Sequence, residues 1–267
     1  MSKIKTWSGI KKITLIALIT WIILAIIFGI TDLEISIAVV DEASIWGNFG
    51  AEYGEIPGYA LIAIALATLL GSLLTNLILQ KIPAYVGIFV GILFIILIDD
   101  DRFIQTGWSL IISLTIYVLL TWKKDMKNYR KISGIIALLA VINPLLFVQI
   151  TKILCGRIRF RNLTPPGYIE YTPWFLPPGL TTGGNSFPSG HAAMSWMFLP
   201  MLIAVKDRKN TDPLKILTLI LVIGWGMFVG LSRIAVGAHY ASDVLFSTGA
   251  AIIATIFLYT RFYRKQN

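Results

Sequence analysis

The chain has 267 residues, 56% hydrophobic and only 14% charged, with a mean hydropathy of +0.76; this is too apolar for a soluble globule and is the composition of a polytopic membrane protein. A formal charge of +9 invites a nucleic-acid reading, but the cations flank apolar runs, so they are assigned to membrane anchoring and no nucleic-acid partner is expected. The single cysteine, Cys155, excludes an internal disulfide and any multi-cysteine metal site, and is read as a small buried side chain.

Crossing a bilayer takes about 17 to 25 helical residues. Eight apolar stretches meet or approach that length, near 13–31, 59–80, 82–98, 103–122, 132–151, 189–205, 214–232 and 240–260, the third and sixth being short. The predicted fold is therefore all-α, a membrane helical bundle with about eight transmembrane helices and no internal repeat or linker, read as one membrane domain over residues 1–267. The first stretch follows Lys3, Lys5, Lys11 and Lys12 but lacks a small-residue cleavage pattern, so it is expected to stay as an anchor.

With a cytoplasmic N-terminus, the inside segments hold 17 of the 23 lysines and arginines. The acidic stretch from Asp32 to Glu55, with six carboxylates and no Lys or Arg, then falls outside. Both termini are expected in the cytoplasm of an integral cell-membrane protein. The Asp99–Asp101 run is read as a solvated loop.

Of the six cations left outside, Lys152, Arg157, Arg159, Arg161 and Arg233 flank helix ends around the chain's two histidines. Cations that violate a topology rule together need a local reason, and a bound anion is one. The long connection among them carries five of the eleven prolines between Pro165 and Pro178, and reads as a structured rim. Its Tyr168, Tyr171, Trp174 and Phe175 suit a water–lipid boundary, either as part of that rim or as an ordinary aromatic belt.

Three segments carry candidate chemistry. In "KILCGRIRF", Lys152 and Arg159 are seven residues apart and share a face if the helix runs on two turns past 151, a continuation that Gly156 leaves open. An ammonium and a guanidinium converging there would hold a phosphoryl group, or would simply snorkel to headgroups. In "PSGH", Pro188, Ser189 and Gly190 open a helix whose N-terminal amides suit an anion, with His191 beside them, able to donate a proton; the alternative is a plain helix-capping turn with an interfacial histidine. In "SRIAVGAHYASD", His239 and Asp243 are four apart, so the aspartate can take the Nδ1 proton and leave Nε2 as a nucleophile, with Arg233 as a third cation. A structural His–Asp pair is the alternative.

Together these segments resemble the signature of the type 2 phosphatidic acid phosphatase superfamily, membrane lipid phosphate phosphatases. Its pattern is Lys, six residues, Arg-Pro; then Pro-Ser-Gly-His; then Ser-Arg, five residues, His, three residues, Asp. Lys152 and Arg159 meet the first; Pro188, Ser189, Gly190 and His191 the second; Ser232, Arg233, His239 and Asp243 the third. The match spans residues 152–243. Phe160 stands where the family usually has proline, and five helices precede the first motif where three are usual, so two are additional to a six-helix core.

The resemblance implies that His239 attacks phosphorus to form a phosphohistidine, with Asp243 orienting it and His191 protonating the leaving oxygen. Lys152, Arg159, Arg233, the Ser189 hydroxyl and the Gly190 amide would surround the phosphoryl oxygens. It implies no metal and no cofactor, and a site at the extracytoplasmic face. A bell-shaped pH dependence is expected, His239 acting neutral and His191 protonated. The implied partner is an amphiphilic lipid phosphate: a polyprenyl phosphate or diphosphate such as undecaprenyl diphosphate, phosphatidate, or phosphatidylglycerophosphate. Alternatives are a lipid phosphotransferase with the same intermediate and a non-catalytic transporter of anionic lipids. Nothing in the chain addresses its oligomeric state.

Overall fold

A computed structural model describes residues 2–263. Residues 1 and 264–267, which belong to the ends predicted to be cytoplasmic, lie outside the described residues. No strand occurs among the described residues, and seven helices are long and apolar enough to cross a membrane: Lys11–Val39, Ile45–Gly71, Leu79–Leu97, Asp101–Thr121, Met126–Asn162, Pro213–Ala235 and Ala241–Phe262. An eighth apolar helix, Gly190–Ala204, is shorter. The chain is a polytopic helical membrane protein; seven spans and one shorter apolar helix follow the eight predicted stretches in order.

The ends differ from prediction at one informative place. Helix α1 (Ser2–Val39) runs past the predicted limit at 31, and Asp32 and Ser36 are fully buried on it. The acidic stretch is thus no single loop: α2 (Ile45–Tyr53) begins early, and the connection shrinks to residues 40–44. A carboxylate on a membrane helix is costly unless it is paired, and the partner of Asp32 lies in the functional site.

The chain divides into two compact units. One comprises Tyr53–Val141, Met194–Trp225 and Leu258–Asn267. Within it, α3 (Ile56–Gly71), α4 (Ile82–Leu97), α5 (Asp101–Thr121) and α6 (Arg130–Ala140) surround a core of Ala67, Ala84, Leu114, Tyr117, Val118 and Met126. Gly91 and Gly107 let α4 and α5 meet backbone to backbone, since a Cβ on either would crowd the other's carbonyl oxygen at 2.8 and 2.6 Å. Lys81 is buried and donates to the Lys124 carbonyl at 3.1 Å, while Gln80 binds both Asp125 and the Met126 amide. Asp100, in the predicted solvated loop, caps α5 by accepting from the Arg102 amide.

The other unit comprises Met1–Glu52, Ile142–Ala193 and Gly226–Phe257. It gathers α1, α2, α7 (Gln149–Cys155), the start of α8 (Gly190–Ser195), the end of α10 (Pro213–Ala235) and α11 (Ala241–Leu258). The span leading into α7 widens to a π-helix over Val141–Val148, where Pro144 cannot donate to the ladder. Buried Asn143 in that turn donates to the Ser247 carbonyl on α11 at 3.4 Å.

Of the four aromatic residues of the long connection, Tyr168, Tyr171 and Trp174 are half-buried and Phe175 is exposed. Trp174 donates from Nε1 to the Ala25 carbonyl of α1 at 2.9 Å, and its ring lies 4.6 Å from Phe246, which also meets Trp21 and Phe187. Gly29 leaves the room on α1 for Trp174 and Phe175. Tyr171 lies edge-on to Tyr240 at 5.5 Å.

Candidate active site

The three motif segments come together at one end of the second unit described above. The C-terminus of α10 starts the construction. Gly237, at φ +64, adopts the left-handed conformation that glycine tolerates, and its amide closes onto the Ile234 carbonyl at 2.9 Å. The Arg233 carbonyl then accepts from the amides of both Ala238 and His239, so the chain doubles back and His239 is delivered, 1% exposed, just ahead of α11.

His239 Nδ1 lies 2.6 Å from the Ser186 carbonyl oxygen and 3.5 Å from Asp243 Oδ2. A carbonyl only accepts, so Nδ1 carries the proton and Nε2 keeps its lone pair. Asp243 supports this arrangement at second hand: its Oδ2 accepts from Ser186 Oγ at 2.5 Å and from the Tyr240 amide at 2.9 Å. Burial, chiefly, holds the His239 ring down to about 3; Asp243 pulls upward, and the positive charges of Arg233 and Lys152 add to the lowering. The ring is therefore neutral at ordinary pH, with two of the predicted cations close enough to act on it.

The Pro-Ser-Gly-His turn is docked on the same aspartate's backbone. Ser189 donates its amide to the Asp243 carbonyl at 3.1 Å, its hydroxyl accepts from the Ala192 amide at 3.3 Å, and its carbonyl accepts from Ser247 Oγ at 2.7 Å. The Ser189 amide is thus committed to the fold and is not one of the turn's open donors. Ser189 is fully buried, whereas Gly190 and His191 are half-buried at the start of α8. His191 Nε2 donates to the Ala51 carbonyl of α2 at 2.9 Å. The two histidines are held in opposite senses, each by a backbone carbonyl.

The Lys152–Arg159 segment departs from the helical expectation. α7 stops at Cys155 because Gly156 turns left-handed, at φ 60, and its carbonyl accepts from Thr182 Oγ1. Lys152 is in the last turn of α7, and Arg159 lies beyond it on extended backbone, φ −72 and ψ 147, so they share no helix face. The strand-like segment is instead stitched to both other motifs: Ser186 donates to the Arg157 carbonyl at 2.8 Å, and Arg161 to the Gly237 carbonyl at 3.0 Å. Phe160, in the place of the family's proline, stacks on Tyr168 at 5.5 Å and meets Tyr240 edge-on at 6.5 Å. Tyr168 has a positive φ of 47.

Arg157 is the residue that motif reasoning passed over. It is 1% exposed, and it donates from Nη1 to Asp243 Oδ1 at 2.7 Å, from Nη2 to Asp32 Oδ2 at 3.0 Å and from Nε to the Thr172 carbonyl at 2.8 Å. Its guanidinium also lies over the Tyr240 ring, 3.9 Å from the centroid. The sequence did hold a signal for this pairing: an aspartate at the end of the first apolar run, with further apolar residues after it.

A model of the PAP2 superfamily matches residues 133–267, just over half of the chain, and takes in all three segments. The chain belongs to that superfamily. Among curated proteins it is similar to a lipid A 4'-phosphatase of Francisella tularensis subsp. novicida (strain U112), 29% identical over 174 residues that cover 62% of this chain and 73% of that PAP2 relative. No solved structure matches the chain significantly.

Proposed function

We propose that this PAP2 protein is a membrane lipid phosphatase that hydrolyses a phosphomonoester or diphosphate through a phosphohistidine on His239. The observation that carries the reading is the pinning of His239 Nδ1 by the Ser186 carbonyl, with Lys152 and Arg233 near enough to act on the ring. A neutral imidazole that keeps its Nε2 lone pair, with cations near the ring, is suited to attack phosphorus.

In this scheme the Nε2 lone pair forms the N–P bond as the bond from phosphorus to the leaving oxygen breaks. His191, in its protonated form, gives that oxygen a proton. With Nε2 of His191 donating to Ala51, the proton delivered is the one on Nδ1. Water then attacks phosphorus and breaks the N–P bond, and His191 takes back the water's proton. Lys152, Arg159 and Arg233, with the Ser189 hydroxyl and the Gly190 amide, surround the three equatorial oxygens and stabilise the charge of the transition state. Asp243 orients His239 through Ser186 and the Tyr240 amide.

The substrate is an amphiphile whose phosphate reaches the membrane boundary, and the site opens at the extracytoplasmic face, with both termini cytoplasmic. The lipid A 4'-phosphatase relative favours lipid A as the first compound to test. Polyprenyl diphosphate, phosphatidate and phosphatidylglycerophosphate complete the panel. The test is phosphate release by detergent-purified protein with EDTA present, beside His239→Ala. Release from at least one member that disappears in the variant supports the reading. Release that survives loss of His239, or that requires an added acceptor lipid, overturns it in favour of another nucleophile or a phosphotransferase.

A further inference from the structure

We propose that Asp32, on the first helix and outside the region that the family model matches, is a positioning residue for the reaction at His239, acting through Arg157 and Asp243. The inference rests on the phosphatase reading of the site.

A chain of buried contacts carries it. Asp32 Oδ2 pairs with Arg157 Nη2 at 3.0 Å, and Arg157 Nη1 pairs with Asp243 Oδ1 at 2.7 Å, so one guanidinium bridges two carboxylates that are each 0% exposed. With Oδ1 of Asp243 taken by Arg157, the plane of that carboxylate is set, and Oδ2 is turned to Ser186 Oγ, the Tyr240 amide and His239 Nδ1. Asp32 also accepts from the Ser242 amide at 3.0 Å and from the Ser242 hydroxyl, which itself accepts from Arg157 Nη1 at 2.9 Å. Asp32 therefore holds the first turn of α11 as well as the guanidinium, and both lead to Asp243.

The chemistry explains why a carboxylate is needed there. Arg157 cannot shed its proton, and without Asp32 its guanidinium, still held at Nε by the Thr172 carbonyl and at Nη1 by Asp243, would lose the acceptor of its buried Nη2. A second carboxylate on the other edge fixes its plane. A helix that merely anchored the protein would have no use for an aspartate facing the core, which is costly on a membrane span.

The test uses the whole protein in detergent, with kcat, KM and thermal unfolding measured together. Asp32→Asn is expected to lower kcat about tenfold while KM stays within about twofold, because an orienting group is lost and no substrate contact is. Arg157→Gln is expected to fall further, since it strands two buried carboxylates. Adding Asp32→Asn to it should then recover at least about threefold in kcat, by removing one stranded charge.

Unchanged kcat in Asp32→Asn, with only a lower unfolding temperature, would overturn the proposal and leave the phosphatase reading standing; so would a double variant no better than Arg157→Gln. If Asp32→Asn cannot be purified folded, Ser242→Ala decides: it keeps all three charges and removes a hydroxyl that Asp32 and Arg157 share. A fall in its kcat of about threefold supports the proposal, and an unchanged kcat overturns it. A parent protein with no turnover on any lipid phosphate removes the phosphatase reading and this proposal together.

Discussion

The Ser186 carbonyl oxygen, and not the Asp243 carboxylate, is the nearest acceptor to His239 Nδ1: 2.6 Å against 3.5 Å. The backbone fixes the tautomer, and the aspartate fixes the backbone through the Ser186 hydroxyl at 2.5 Å. Orientation and charge are thereby divided between two groups.

This division sets the order of severity among variants. Replacing the aspartate of a triad that relies on it alone for the tautomer costs about 10⁴ in kcat. Here Asp243→Asn leaves the Ser186 carbonyl in place, so a loss of about 10 to 100-fold is expected, with His239→Ala abolishing turnover. Ser186→Ala, which keeps the carbonyl and removes the tie to Asp243, should fall on the same side as Asp243→Asn. Steady-state kinetics on the three variants checks the ranking.

The pH profile follows from burial of His239. In the proposed scheme the neutral ring is the nucleophile, so activity is expected above its pKa, held down to about 3 chiefly by burial, and is lost as pH falls through it. The acid side of the expected bell therefore lies well below pH 5, and between about pH 5 and 8 kcat/KM should show no loss on acidification beyond the substrate's own second phosphate ionisation near pH 6. Stability shifts in the same sense. Between about 3 and the ordinary 6.5 the unfolded chain binds a proton that folded His239 refuses, so acid weakens the fold there. A rate profile corrected for substrate ionisation, taken beside thermal unfolding across that range, measures both.

Phe160→Pro restores the residue the family usually has. Phe160 opens a short 3-10 turn, and Arg159 before it is extended, which suits the residue preceding a proline. The backbone should accept the change. What is lost is the stacking on Tyr168 and the edge contact with Tyr240, worth about 0.5 to 1.5 kcal/mol for an aromatic pair. A modest drop in unfolding temperature with kcat within about twofold is expected, because the ring contributes packing and touches no predicted catalytic group.

What was legible in the sequence, and what was not, has a physical pattern. The spans could be placed because a bilayer demands long apolar runs. Lys152, Arg159, His191, Arg233, His239 and Asp243 stood out because polar side chains are rare in such a chain, and the structure gathers their three segments in one unit. The Arg157–Asp32 pair was hidden by a separation of 125 residues and by a motif spacing that counts from Lys152 to Arg159. The part played by Ser186 was hidden for another reason: a main-chain oxygen does the work, and no side-chain identity announces a carbonyl. Tyr171 and Trp174 suit a lipid boundary by residue type, whereas their contacts with Arg157 and the Ala25 carbonyl come from distant parts of the chain and leave no mark in the sequence.

The most direct measurement is a rapid acid-free quench of the parent protein and of His239→Ala after mixing with a lipid phosphate carrying a radioactive phosphoryl group, followed by mapping of any label. An alkali-stable, acid-labile label on His239 is expected in the parent, chased by water, and none in the variant. Turnover in the parent with no label at His239, or a label that persists in His239→Ala, would contradict it.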